Sequence, residues 1–95
     1  MRLNEQQIEI ICTGVLRHLG EYNGLWLFGS RADDQRRGGD VDLYVETPTR
    51  KPLKQVLRCK LELEEKLDLH VDLVINAGND NKPIFTIAKE TGIRL

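Results

Sequence analysis

The chain has 95 residues, 40% of them hydrophobic and 31% charged, with a net charge of −1. That length predicts one domain spanning residues 1–95, with a core just large enough to sustain a fold. The balance excludes a disordered polymer and gives no global field for nucleic acid or an anionic membrane, so neither is an expected partner. The longest apolar run, residues 25–29, is far short of a bilayer span. The polar start at 1–7 carries no secretory signal. Cys12 and Cys59 stand alone, without CxxC or histidine spacing, so a reducing cytoplasm is the expected location.

Residues 5–19 read as an amphipathic helix. Ile8, Ile11, Cys12, Val15, Leu16 and Leu19 form one stripe at helical spacing. Asn4 and Gln7 are spaced as a capping box, and Gly20 is placed to end the helix. Residues 25–28 read as a buried strand containing Trp26 and Phe28 as core. Gly29-Ser30 breaks it, 31–37 form a short helix or loop, and Gly38-Gly39 acts as a hinge.

A second strand, 41–46, sends Val41, Leu43 and Val45 to one face and Asp40, Asp42 and Tyr44 to the other. After a proline-bearing turn, 52–67 read as a long helix with Leu53, Val56, Leu57, Leu63 and Leu67 inward. Its basic flank, Lys51, Lys54, Arg58 and Lys60, reads as a solvated face. A third strand, 69–75, alternates Leu69, Val71, Leu73 and Ile75 with His70, Asp72 and Val74. Residues 76–81 form a polar loop. A last helix starts at Pro83 and ends at Gly92. The order α-β-α-β-α-β-α predicts an α/β (α+β) fold, with a small mixed three-stranded sheet flanked by helices.

The chemistry concentrates in two places. Asp40 and Asp42, two apart on a strand, project from one face, and like charges that close favour a cation between them. Mg²⁺, a hard ion, takes oxygen ligands. Asp72 joins them if the second and third strands are neighbours, and three such carboxylates can hold two metal ions for displacement at phosphorus. Gly29 permits close backbone approach, Ser30 offers a hydroxyl and free N–H groups, and Arg31 neutralises phosphate oxygens, with Arg36 or Arg37 as further candidates. The whole describes a site for a nucleoside triphosphate with Mg²⁺. His70 shares the face of Asp72. It reads as a polar residue near the sheet edge, with a supporting role behind Asp72 as the alternative. His18 reads as a surface residue compatible with the helix dipole, and Tyr44 mainly as packing.

Gly29-Ser30, a basic loop, Asp40-x-Asp42 and the later strand Asp72 resemble the signature of the DNA polymerase beta-like nucleotidyltransferase superfamily. FGSRA, RRGGDVDLYV and HVDLV, with the flanking helices, are similar to its smallest branch, the minimal nucleotidyltransferases (MNT). The resemblance implies the nucleotidyltransferase fold and an Mg²⁺-dependent enzyme with two ions. It implies that Gly29 and Ser30, aided by Arg31, hold the triphosphate. Asp40, Asp42 and Asp72 are then the catalytic metal ligands, and Asp72 also helps activate the attacking hydroxyl. The spacer between Ser30 and Asp40 is one residue shorter than is usual in that branch. Asp33-Asp34 replace the usual Arg-Gly.

The resemblance also implies a partner. Small members are often paired with a HEPN-type toxin, act as its antitoxin, and in some cases transfer AMP from ATP to a toxin tyrosine. A hetero-oligomer is therefore expected. The alternative is a non-catalytic nucleotide-binding module or stoichiometric antitoxin. Transfer to a small molecule or RNA is a weaker third reading, because no pocket or basic face of the required size is legible.

Overall fold

The computed structural model describes residues 3–29, 40–78 and 82–95. The short helix or loop expected at 31–37, the Gly38-Gly39 hinge and part of the 76–81 loop lie outside the described residues. Helix α1 spans Glu5–Leu19. The capping box forms as its spacing predicts. The Gln7 N–H donates to Asn4 Oδ1 at 2.8 Å, and the Asn4 N–H donates to Gln7 Oε1 at 3.0 Å. Strand β1 is Gly24–Phe28, β2 is Asp40–Glu46, helix α2 is Leu53–Leu67 and β3 is His70–Asn76. Helix α3 follows at Pro83–Thr91, with proline in its first turn, and β4 is Ile93–Arg94.

The sheet order is β3-β2-β1-β4. Strands β1 and β2 are antiparallel, β2 and β3 parallel, and β1 and β4 antiparallel. The sheet is mixed as expected, with four strands among the described residues where three were expected. The added strand pairs Ile93 with Leu27 and Arg94 with Trp26. Two residues are too few to show alternation, which is why no strand pattern announces it.

Helices α1 and α2 cover one face. Ile11, Val15 and Leu19 from α1 meet Cys59, Leu63 and Leu67 from α2 over Leu25, Leu27, Val41, Leu43, Val45 and Val71. The two helices approach closely at Gly14, where an added Cβ would lie 2.8 Å from Leu63 Cδ2. Helix α3 covers part of the other face. There Phe85 and Ala88 join Trp26 and Tyr44, with Phe28 and Val74 at the margin. The Tyr44 ring stacks on Phe85 at 5.3 Å between centroids. Tyr44 Oη donates to Glu46 Oε2 and accepts from Asn76 Nδ2. Packing is thus the role Tyr44 plays.

Helix α2 turns Val56, Leu63 and Leu67 inward as expected, but not Leu53 and Leu57. Leu53 and Leu57 are 71% and 48% exposed, and Leu61 is 62% exposed. The buried stripe is Cys59, Leu63 and Leu67, with Val56 beside it. The chain offers α2 two leucine-bearing stripes, and the close contact at Gly14 selects the one with the small residue Cys59. Leu16 of α1 also faces solvent, at 54% exposure, although it lies on the expected stripe.

Candidate functional site

The site begins with the register of two neighbouring strands. Asp40 pairs with His70 and Asp42 with Asp72 across the parallel β2–β3 ladder. Side chains alternate across a strand, so these four share the face opposite Val41, Leu43 and Val71. That is the face on which α3 packs, but α3 sits over Trp26 and Tyr44 and leaves the carboxylate end open. Asp40 and Asp72 are exposed, and Asp42 is partly buried. The condition set by the sequence, that the second and third strands be neighbours, is met.

The third element is the end of β1. Phe28 pairs with Asp42, so Gly29 lies beside that carboxylate. Gly29 has φ +73°, the left-handed region that favours glycine. A Cβ built there would lie 2.2 Å from Asp42 Oδ2. The backbone therefore favours glycine, and a side chain there would have to displace the end of the Asp42 carboxylate. Ser30 and Arg31 lie outside the described residues, as do Asp33, Asp34, Arg36 and Arg37.

Electrostatics at this corner are unfavourable without a counter-charge. Partial burial raises the Asp42 carboxyl above its ordinary range. The charge of Asp72, a hydrogen bond with it and the charge of Asp40 push the same way, while His70 opposes them. Among the described residues, one group of potential metal ligands converges. One donor atom from each of Asp40, His70 and Asp72 lies within 4.8 Å of the others. Asp42 is adjacent through Asp72 and not a member of that cluster.

His70 is better connected than an edge residue needs to be. Its Nδ1 is 3.0 Å from Glu64 Oε2, and its Nε2 is 3.3 Å from Asp72 Oδ1. Glu64 Oε2 also accepts the Val71 N–H at 3.0 Å. Glu64 was not singled out in the sequence. It lies on α2, and nothing local tells that its carboxylate reaches the end of β3. His18, read as a surface residue, lies 3.1 Å from Glu62 Oε1, which Arg17 also contacts at 2.9 Å. This pairing lowers the Glu62 carboxyl below its ordinary range, with His18 the first cause. It ties α1 to α2 on the sheet face opposite the carboxylates. Among the described residues, no helix is long and apolar enough to cross a membrane.

Comparison with known proteins follows the same lines. The family described as "Polymerase beta, Nucleotidyltransferase" matches residues 12–95. No curated protein matches the chain by sequence. Two crystal structures of toxin-antitoxin MntA-HpeT mutants are similar in fold. One, with two aspartates replaced by glutamate, gives a TM-score of 0.75 at 19% identity over 97% of this chain and 71% of that chain. The other, with a tyrosine replaced by alanine, gives 0.72 at 22% identity over 98% and 71%.

Proposed function

The chain belongs to the polymerase beta nucleotidyltransferase family, and from that premise we propose that it transfers a nucleoside monophosphate, AMP from ATP, onto a hydroxyl of a partner protein. The observation that carries this reading is the register that sets Asp40, Asp42 and Asp72 on one sheet face, with Gly29 following the partner of Asp42. The donor set fits a divalent cation such as Mg²⁺. Three carboxylates share one face, and the Asp42 carboxyl is raised first by burial and then by the charges of Asp72 and Asp40. Asp40, Asp42 and Asp72 would hold one or two such ions. When bound, the cation supplies neutralisation of the triphosphate and of the departing pyrophosphate.

The remaining work falls to the chain itself. The turn at Gly29 brings backbone close to the phosphates, and Ser30 and Arg31 hold their oxygens. Asp72, at the exposed edge of the site, accepts the proton of the incoming hydroxyl on a carboxylate oxygen. The hydroxyl oxygen bonds to the α-phosphorus as the bond to pyrophosphate breaks. Most of the catalysis is positioning on strands that are fixed from behind by the buried residues of β2 and β3.

Residues 1–95 form a single minimal nucleotidyltransferase domain in this reading, and the acceptor surface comes from the partner. A toxin of HEPN type is that partner, with this chain as its antitoxin in a hetero-oligomer in the cytoplasm. The fold shared with the toxin-antitoxin MntA-HpeT structures supports it. The aspartates replaced in one of those structures stand two positions apart, as Asp40 and Asp42 do.

The test incubates the chain with ATP labelled at the α-phosphate, Mg²⁺ and the co-purifying partner. Label should appear on the partner and vanish with Asp40→Asn plus Asp42→Asn. Label that survives the double substitution refutes the assignment. Neutralisation of the partner at equimolar ratio without any label would instead identify a binding module.

A further inference from the structure

The parallel ladder sets an imidazole among carboxylates. His70 is the register partner of Asp40, and Asp72 is the next residue on the same face. The Nε2 side of the ring meets Asp72, and a ring nitrogen lies within 4.8 Å of donor oxygens of both Asp40 and Asp72. The Nδ1 side meets Glu64. Glu64 is not free to swing, because the oxygen that receives Nδ1 also receives the Val71 N–H. One ring nitrogen is therefore anchored to a fixed carboxylate, and the other is turned toward two acidic donors. Histidines that bind metals are commonly oriented in this way, by a carboxylate on the second nitrogen.

We propose that His70 is a ligand, through Nε2, of the cation shared by Asp40 and Asp72, with Glu64 as the residue that positions the ring. A nitrogen donor biases the site away from Mg²⁺, which takes oxygen, and toward first-row transition cations such as Mn²⁺. The proposal rests on the reading of Asp40 and Asp72 as cation ligands and specifies which cation that site selects.

The experiment measures metal binding directly, with no nucleotide and no turnover. Mn²⁺ and Mg²⁺ are titrated calorimetrically into the chain. Mn²⁺ coordination is then read by pulsed electron paramagnetic resonance on protein with ¹⁴N- or ¹⁵N-histidine. Wild type should bind Mn²⁺ more tightly than Mg²⁺ and show a histidine nitrogen coupling that changes with the isotope. His70→Gln should abolish the coupling and weaken Mn²⁺ binding about tenfold or more, with much less effect on Mg²⁺. Glu64→Gln should weaken Mn²⁺ in the same direction. The ring is half exposed, so His70→Gln should leave thermal stability nearly unchanged.

Mn²⁺ that binds without nitrogen coupling, yet is lost in Asp40→Asn, overturns the histidine ligand and leaves the carboxylate site standing. So does a His70→Gln variant that weakens both cations equally. Wild type that binds neither cation overturns the carboxylate site and the histidine ligand together.

Discussion

Replacing Asp42 with asparagine should stabilise the cation-free protein at neutral pH. Asp42 faces Asp72 across the β2–β3 ladder and lies two residues from Asp40 on its own strand. Side chains directly opposite on neighbouring strands stand about 5 Å apart. At that distance two unit charges repel by about 1 kcal/mol in a water-like medium and about 3 kcal/mol at an effective dielectric constant near 20. The Asp72 side chain is 50% exposed, so the lower figure applies. Asparagine keeps the shape, removes the charge and offers Asp72 an amide donor. The expected gain is about 1 kcal/mol, or a Tm rise of about 4–8 °C for a domain of this size.

The pH dependence has a defined sign. The folded-state Asp42 carboxyl is raised, first by burial and then by Asp72. The folded protein therefore binds this proton more readily than the unfolded chain. Repulsion is absent below the ordinary aspartate range, around pH 4, grows as pH rises through the folded value, and is complete at neutrality. The advantage of Asp42→Asn should grow over the same window. It should shrink in high salt and close when a divalent cation saturates the wild-type site. The assay is thermal and urea unfolding at low ionic strength, with chelator, from pH 4 to 8. An asparagine variant no more stable than wild type at pH 7 would refute charge crowding as the property of this corner.

Three further outcomes follow from particular contacts. Gly29→Ala should cost about 1–2 kcal/mol for the left-handed backbone alone, and it should displace the Asp42 carboxylate and weaken divalent-cation binding in calorimetry. Unchanged cation affinity would show that the Asp42 oxygen is not needed where it lies. Leu57→Ser should change stability by no more than about 0.5 kcal/mol, whereas Leu63→Ala should cost about 2–5 kcal/mol in urea unfolding. Equal costs would contradict the orientation of α2. The Cys59 thiol, pushed up to about 11 by burial and then by Glu62, should ignore a disulfide reagent at pH 8 until the chain unfolds, leaving Cys12 as the reactive thiol. Two rapidly reacting thiols in the native protein would refute that burial.

Much of this was legible because the informative elements follow strict periods. The alternation of Val41, Leu43 and Val45 with Asp40, Asp42 and Tyr44 predicts which face each side chain takes, and the structure agrees at every position. Asn4, Gln7, Gly20 and Pro83 announce helix ends by local chemistry. What stayed hidden depends on tertiary contacts. The leucine spacing of α2 supports two faces almost equally, and only the approach of Gly14 to Leu63 chooses between them. Strand β4 has two residues and no period to read. Asn76, assigned to a loop, ends β3 because it pairs with Glu46. The link from Glu64 to His70 joins a helix to the strand that follows it, a meeting that spacing alone does not specify. For the site, all three acids and Gly29 were singled out from the sequence, whereas the connectivity of His70 emerged only from the fold.

The position of the site follows from β2 more than from any loop. Its inward residues, Val41, Leu43 and Val45, are fully buried under α1 and α2. Its other phase is divided, with Asp40 and Asp42 at the open end and Tyr44 held under Phe85 of α3. A slip of one residue in the β2–β3 register would turn the acids into the apolar core and the valines outward, which makes such a slip prohibitively unfavourable. The same burial that stabilises the sheet thus holds two carboxylates of β2 opposite His70 and Asp72 of β3. The acids cannot relieve their repulsion by moving the strands. Within the fold His70 works against that repulsion, and protonation or a cation would relieve it further. The burial that stabilises this fold and the crowding of its carboxylates therefore have one origin, the register of β2 against β3.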